Sequence, residues 1–193
     1  MIAAQVESLG RMGLVEKPVP GPGENSVLIK VAACAICGSD VRIFAKGDAR
    51  AKYPIVIGHE IAGTVTAVGK NVKGFKEGDR VCAAPGHGCG KCRFCTTGHS
   101  NVCIHPCPSI GYASDGGFAE YVVPPENVVR LGFVNKIPDG VSFDDASMSE
   151  LLACNLNGYG NLGEFSTRLR RTSPKGTYHP TLAAIRADPL ADC

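Results

Sequence analysis

Apolar positions in this chain come in short runs rather than long stripes. Val27 to Ala33, Ile61 to Val68, Arg80 to Ala84 and Phe118 to Val123 are rich in Val, Ile and Ala, and glycines and prolines punctuate the segments between them. Runs of this length and composition predict strands between turns. With 24 glycines and 13 prolines in 193 residues, the pattern predicts a mainly β fold with a few helices, a β-barrel or compact sandwich rather than a helical bundle. The texture changes after Pro138, where Ser142 precedes Phe143, Asp144 and Asp145. A hydroxyl cap followed by acids in the first turn predicts a helix running to about Asn157. From Gly163 onward no periodicity is sustained, and Ser166 to Thr177 carries Arg168, Arg170, Arg171 and Lys175 without an acid. The expected organisation is one domain over 1–162 and an unrelated, disordered tail over 163–193.

Composition narrows the class. Hydrophobic residues make up 44% and charged residues 20%, a soluble globular balance. No stretch is long and apolar enough to read as a membrane span, and the first 18 residues lack the pattern of a secretory signal. The expectation is therefore a cytoplasmic protein with no membrane partner. The formal net charge of +2 arises entirely after Gly163. That short basic stretch has neither aromatic interleaving nor a matching basic face, so no nucleic-acid partner is expected. Ten cysteines in a reducing compartment then point to metal or catalysis before disulfides.

Cys89, Cys92, Cys95 and Cys103 form a C-x-x-C-x-x-C ladder closed by a fourth thiol. Two residues between thiols let neighbouring sulfurs face one ion, and four thiolates at about 2.3 Å complete a closed tetrahedral zinc shell. Lys91 and Arg93 offset part of its negative charge. An iron–sulfur cluster also uses such ladders, but no proline follows the last cysteine of this run; four free thiols are the remaining reading. A metal with all four positions filled by protein stabilises a lobe and does no chemistry. Elsewhere, Cys37 in CAICGSD and His59 beside Glu60 in GHEIAGTVTAVG offer a thiolate, an imidazole and a carboxylate. Those three donors suffice for a catalytic zinc with an open position. Taken alone, His59 could be an ordinary satisfied histidine, and Cys34 with Cys37 a redox pair or a zinc knuckle.

In combination these segments resemble the zinc-dependent medium-chain alcohol and polyol dehydrogenases, the sorbitol and threonine dehydrogenases among them. The resemblance rests on Gly58, His59, Glu60, Gly63, Gly69 and Val72, the CGSD at Cys37 to Asp40, FKEGDRV at Phe75 to Val81, GGFAEY at Gly116 to Tyr121 and KIPDGVSFDDAS at Lys136 to Ser147. It runs unbroken over about residues 1–160 and implies a GroES-like β-barrel carrying the four-cysteine zinc lobe. It also implies that Cys37 and His59 are catalytic zinc ligands, and that Glu60 is a third ligand or a group that orients one. Glu150 stands where relatives have a glutamate of an E-P-L motif near the metal, although Leu151 replaces the proline, and Cys154 is its rival. Ser39 matches the hydroxyl that hydrogen-bonds the substrate oxygen and passes its proton outward. Arg42 stands where many relatives end that relay with a histidine. A guanidinium accepts no proton, so the relay must leave through water or another group.

The resemblance implies hydride transfer from a zinc-bound secondary alcohol or polyol to NAD or NADP. In relatives that nucleotide sits on a Rossmann domain, absent from this sequence, through which the full-length enzymes associate as homo-oligomers. Gly158, Gly160 and Gly163 spell G-x-G-x-x-G, but they follow a predicted helix instead of a strand, so they are not expected to bind a dinucleotide. The chain accordingly reads as a truncated dehydrogenase with two zinc sites, one catalytic and one structural. The alternative is a non-enzymatic zinc-binding β-module or scaffold fragment. The purified 193-residue chain is expected to bind zinc yet show no appreciable turnover; NAD-linked polyol oxidation by it would overturn that expectation.

Overall fold

The computed structural model describes the backbone of residues 1–172 and the side chains of residues 1–160. Expectations about the tail that fall on residues 173–193 lie outside the described residues. Two compact units are distinguished, Met1–Glu150 and Leu151–Cys193.

The first unit opens on a hairpin that the apolar pattern did not reveal, β1 (Ile2–Ser8) and β2 (Arg11–Glu16). Its strands alternate too few buried residues to stand out, because Leu9, Met12 and Leu14 are exposed. Then follow β3 (Val27–Ala35), α1 (Gly38–Lys46), β4 (Ile55–Val56), β5 (Glu60–Val68) and β6 (Arg80–Ala83). A short α2 (Arg93–Thr96) and a 3₁₀ turn at Ser100–Val102 precede β7 (Tyr121–Val122), α3 (Glu126–Arg130), β8 (Val134–Lys136) and α4 (Phe143–Ser147). The strands form a three-stranded sheet, β2-β1-β4, and a five-stranded sheet, β7-β3-β5-β6-β8. Pairing is antiparallel throughout, and a bridge between Ala3 and Ala119 joins the first strand to the approach of β7. The mainly β fold expected from the runs at 27, 61, 80 and 118 is thus present.

Alternation explains the core. Val27 and Ile29 of β3, Ile61 and Val65 of β5, and Val81 and Ala83 of β6 point to one face and pack with Ile110, Val122, Val128 and Val134. A second cluster joins Val6, Ile43, Ile55, Ile57 and Tyr112, so α1 and the three-stranded sheet share an interior. The helix expected from Ser142 to about Asn157 is two helices. Ser142 Oγ accepts the Asp145 N–H at 3.0 Å as its cap, and α4 closes at Met148, whose N–H turns back to the Asp145 carbonyl at 3.2 Å. A separate α5 (Ser149–Thr172) then begins. Gly158 and Gly160 lie inside it, which agrees with the expectation that this glycine string is no nucleotide-binding turn. No helix among the described residues is long and apolar enough to cross a membrane.

Gly58, just before β5, is held at φ +94°, and a Cβ there would meet the Phe118 ring at 2.6 Å and Cys34 Sγ at 2.9 Å. Both the left-handed backbone and the lack of space require glycine. Gly58→Ala is expected to cost about 2–3 kcal/mol, read from denaturant unfolding. Gly10→Ala, at φ +69° with open space around it, should cost only about 1–2 kcal/mol. Equal losses would show that crowding at Gly58 does not matter.

Candidate metal centres

The first turn of α1 builds one centre. Asp40, three residues into the helix from its cap Cys37, is 2% exposed. Its Oδ2 accepts the Cys37 N–H at 2.9 Å and its Oδ1 accepts the Gly58 N–H at 3.1 Å. One carboxylate therefore ties the CGSD turn to the GHE turn, although 18 residues separate Asp40 from Gly58. Oδ1 also lies 3.3 Å from His59 Nδ1, but off the line of a hydrogen bond, so that buried ring nitrogen has no well-aligned partner among the described residues. The other nitrogen, Nε2, faces Ser39 Oγ at 3.3 Å.

Ligand atoms of Cys37, His59 and Glu60 all lie within 4.8 Å of one another, with His59 and Glu60 buried. Burial pushes the His59 pKa down, but Asp40 and then the Cys37 thiolate more than offset it, and the net shift is upward. Burial also raises the Glu60 carboxyl; the His59 charge opposes this, while Glu150 and Asp40 add to it. A thiolate, an imidazole and a carboxylate on one small volume, with a carboxylate behind the imidazole, is a donor set that fits zinc. A metal on Nε2 would leave the Nδ1 proton to Asp40 and so settle the unaligned nitrogen.

Glu150, in the first turn of α5, is not one of these three ligands; its charge reaches Glu60. Cys154 is exposed rather than an interior thiol. Burial, with Asp40 adding, pushes the Cys34 thiol up to about 12, which disfavours the thiolate a redox pair with Cys37 would use.

Two residues missed in the sequence complete this centre. Tyr112 Oη donates to Ser39 Oγ at 2.8 Å across 73 residues of chain, and its ring lies 4.9 Å from the His59 ring. Burial raises its pKa, which the Ser39 hydrogen bond and the Arg50 charge only partly reverse. Arg50 stacks 4.0 Å above the same ring. Arg42, by contrast, turns away to Asp48 at 2.8 Å, which Arg50 also grips at 2.9 Å. The hydrogen bonds from Arg50 are the main reason the Asp48 carboxyl is held well below the usual carboxylate range.

The four-cysteine lobe is a separate construction. Cys92–Cys95, Cys92–Cys103 and Cys89–Cys95 sulfurs are 3.6, 3.8 and 3.9 Å apart. Four sulfurs at about 2.3 Å from one tetrahedral ion stand about 3.8 Å apart, so the cluster has the dimensions of a zinc shell and can hold that metal. The backbone N–H groups of Lys91 and Cys92 point at Cys89 Sγ at 3.4 and 3.3 Å and bring its pKa down to about 6.

Residues 23–138 match the alcohol dehydrogenase GroES-like domain. The chain belongs to that family. This GroES-like domain is 38% identical over 146 residues to a sorbitol dehydrogenase of Halalkalibacterium halodurans, covering 75% of this chain and 40% of the relative. It superposes on galactitol-1-phosphate dehydrogenase of Escherichia coli with a TM-score of 0.75 and 30% identity, over 85% of this chain and 45% of that one. It is also similar to RspB, an alcohol dehydrogenase of Escherichia coli CFT073 complexed with NADH: TM-score 0.72, 36% identity, over 83% of this chain and 46% of that one. The chain thus spans less than half the length of each.

Asp40→Ala in this GroES-like domain is expected to lower metal affinity at the Cys37 centre about 10–100-fold and stability by about 1–3 kcal/mol. The four-cysteine lobe should keep its metal. Chelator competition and denaturant unfolding read the two effects; unchanged affinity would remove Asp40 from the site. At Asp48, a carboxyl depressed in the folded state contributes stability above the ordinary carboxylate range, which is lost as pH falls below about 4. Asp48→Asn should therefore flatten the acid limb of stability against pH, and an unchanged limb would show that the two arginines contribute nothing.

Proposed function

We propose that this chain supplies the metal-binding catalytic domain of a zinc-dependent dehydrogenase of polyols or secondary alcohols. The observation that carries the reading is the meeting of Cys37, His59 and Glu60 with Ser39 beside the imidazole. Bound there, zinc would act as a Lewis acid that lowers the pKa of a substrate hydroxyl. Cys37, His59 and Glu60 would hold it, and Asp40 would keep the imidazole in the tautomer that leaves Nε2 free. The Glu150 charge reaches Glu60, and Glu150 would be an acid available to approach the same metal.

Proton removal would fall to Ser39 Oγ, which takes up the substrate proton as it releases its own to Tyr112 Oη and Tyr112 releases its proton to solvent. Tyr112 is the next oxygen outward, and its raised pKa keeps the hydroxyl neutral, able to donate and accept. Arg42, held by Asp48, takes no part. The hydride acceptor would be a nicotinamide nucleotide, like the NADH complexed with the relative. Cys89, Cys92, Cys95 and Cys103 would hold the structural zinc.

Two zinc ions per chain are expected by mass spectrometry of acid-digested protein, falling to one in Cys37→Ser with the fold retained by circular dichroism. One zinc per wild-type chain, unaffected by Cys37→Ser, would replace this reading with the non-catalytic zinc-binding β-module.

A further inference from the structure

Five thiols gather at the lobe, and a tetrahedral ion takes four. The fifth is Cys107, four residues beyond Cys103 in CIHPC. Cys107 Sγ donates to the His105 carbonyl at 3.3 Å, and Cys103 Sγ approaches the same carbonyl at 3.8 Å. Two sulfurs from one loop thus converge on one acceptor. Besides burial, the groups that act on the Cys107 thiol are the Gly88 backbone N–H and the sulfurs of Cys103 and Cys89. Cys107 is therefore at the edge of the sulfur cluster, outside the group whose ligand atoms lie within 4.8 Å of one another.

We propose that Cys107 is a reserve ligand of the lobe's metal, exchangeable with Cys103; this rests on the reading that the lobe binds zinc. The four thiols stand on different pieces of backbone. Cys89 Sγ is gripped by two backbone N–H groups. Cys92 caps α2, accepting the Thr96 N–H on its carbonyl at 3.0 Å, and Cys95 lies within that helix. Cys103 lies beyond that helix, and its Sγ meets the Cys92 sulfur, the His105 carbonyl and the backbone groups of His105 and Cys89.

Its loop is anchored at its two ends and at the Cys103 carbonyl, which His87 Nε2 meets at 3.2 Å. The 3₁₀ turn Ser100–Val102 lies before Cys103, and the buried Ser109 Oγ donates to the Gly86 carbonyl at 2.8 Å after Cys107. Between the anchors Ile104 is 73% exposed, so no apolar packing pins the segment. Rotation of that short span is the movement that would bring the Cys107 sulfur in as Cys103 leaves. The exchange balances without an oxidant: a Zn–S bond to Cys107 forms as that to Cys103 breaks, and the Cys107 thiol proton passes to the released Cys103 thiolate. Charge on the shell is unchanged, and chemical modification of Cys103 need not empty the lobe.

The test is zinc content of the full 193-residue chain in a Cys37→Ser background, so that only lobe metal is counted, with zinc alone as the probe. Cys92→Ser should lose the ion. Cys103→Ser should keep it, with affinity within about 100-fold of the parent, and Cys107→Ser should keep it too. The Cys103→Ser/Cys107→Ser double variant should lose it as fully as Cys92→Ser. Loss from Cys103→Ser alone, equal to that in Cys92→Ser, overturns the proposal, whereas a parent chain with no lobe zinc overturns the underlying zinc reading instead. Should Cys103→Ser fail to fold, thiol alkylation of the zinc-loaded wild type decides. Labelling of Cys103 together with Cys107, while Cys92 and Cys95 stay protected, supports exchange, and labelling of Cys107 alone overturns it.

Discussion

A carboxylate that is 2% exposed must find donors or forfeit several kcal/mol of lost hydration, and the arrangement around Asp40 follows from that requirement. Its two oxygens take the N–H of Cys37, the N–H of Gly58 and the approach of His59. Meeting this demand starts α1, places the turn before β5 and turns the imidazole, all at once. The left-handed conformation of Gly58 presents its N–H to Asp40 while Phe118 and Cys34 crowd the place where a side chain would be. The metal centre is consequently organised by one negative charge acting on backbone, before any ion is considered.

The lobe solves a different problem by different means. Its sulfurs are brought together by tight local turns, Gly88 at φ +141° and Gly90 at φ +73° among them, and little of the barrel core takes part. The open centre instead depends on β3 pairing with β5, which sets Ala35 opposite Glu60 and so carries Cys37 to His59. Closed and open donor sets thus match local and long-range construction: one gathers four sulfurs in a local knuckle, the other three donors that would leave a tetrahedral ion one position unfilled.

This division explains what could be read from the sequence. The C-x-x-C-x-x-C ladder was legible because all of its geometry lies within one short segment, and β3, β5 and β6 were legible as short apolar runs between turns. The break at Met148 was not, since the residues from Ser142 to Asn157 give a continuous helical texture and only the backbone turn back to Asp145 interrupts it. Asp40 carried a readable signal, an acid three residues after a helix cap, whereas Tyr112 carried none, its bond to Ser39 spanning 73 residues. Arg42 could be excluded from proton transfer on chemistry alone, but that Asp48 holds it aside required the fold.

The same contrast in span bears on how the chain acquires its structure. Cys92 and Cys103 are 11 residues apart, and closing so short a loop costs little entropy. The lobe can therefore capture an ion in a chain that is otherwise unfolded, whereas the Cys37 centre gains its shape only after two distant strands have paired, a slower event. On the proposed reading, zinc would enter this protein in an order, first as a folding ligand at residues 89–103 and only afterwards at the Cys37 centre. Scarcity during synthesis would be felt earliest in the part that performs no chemistry.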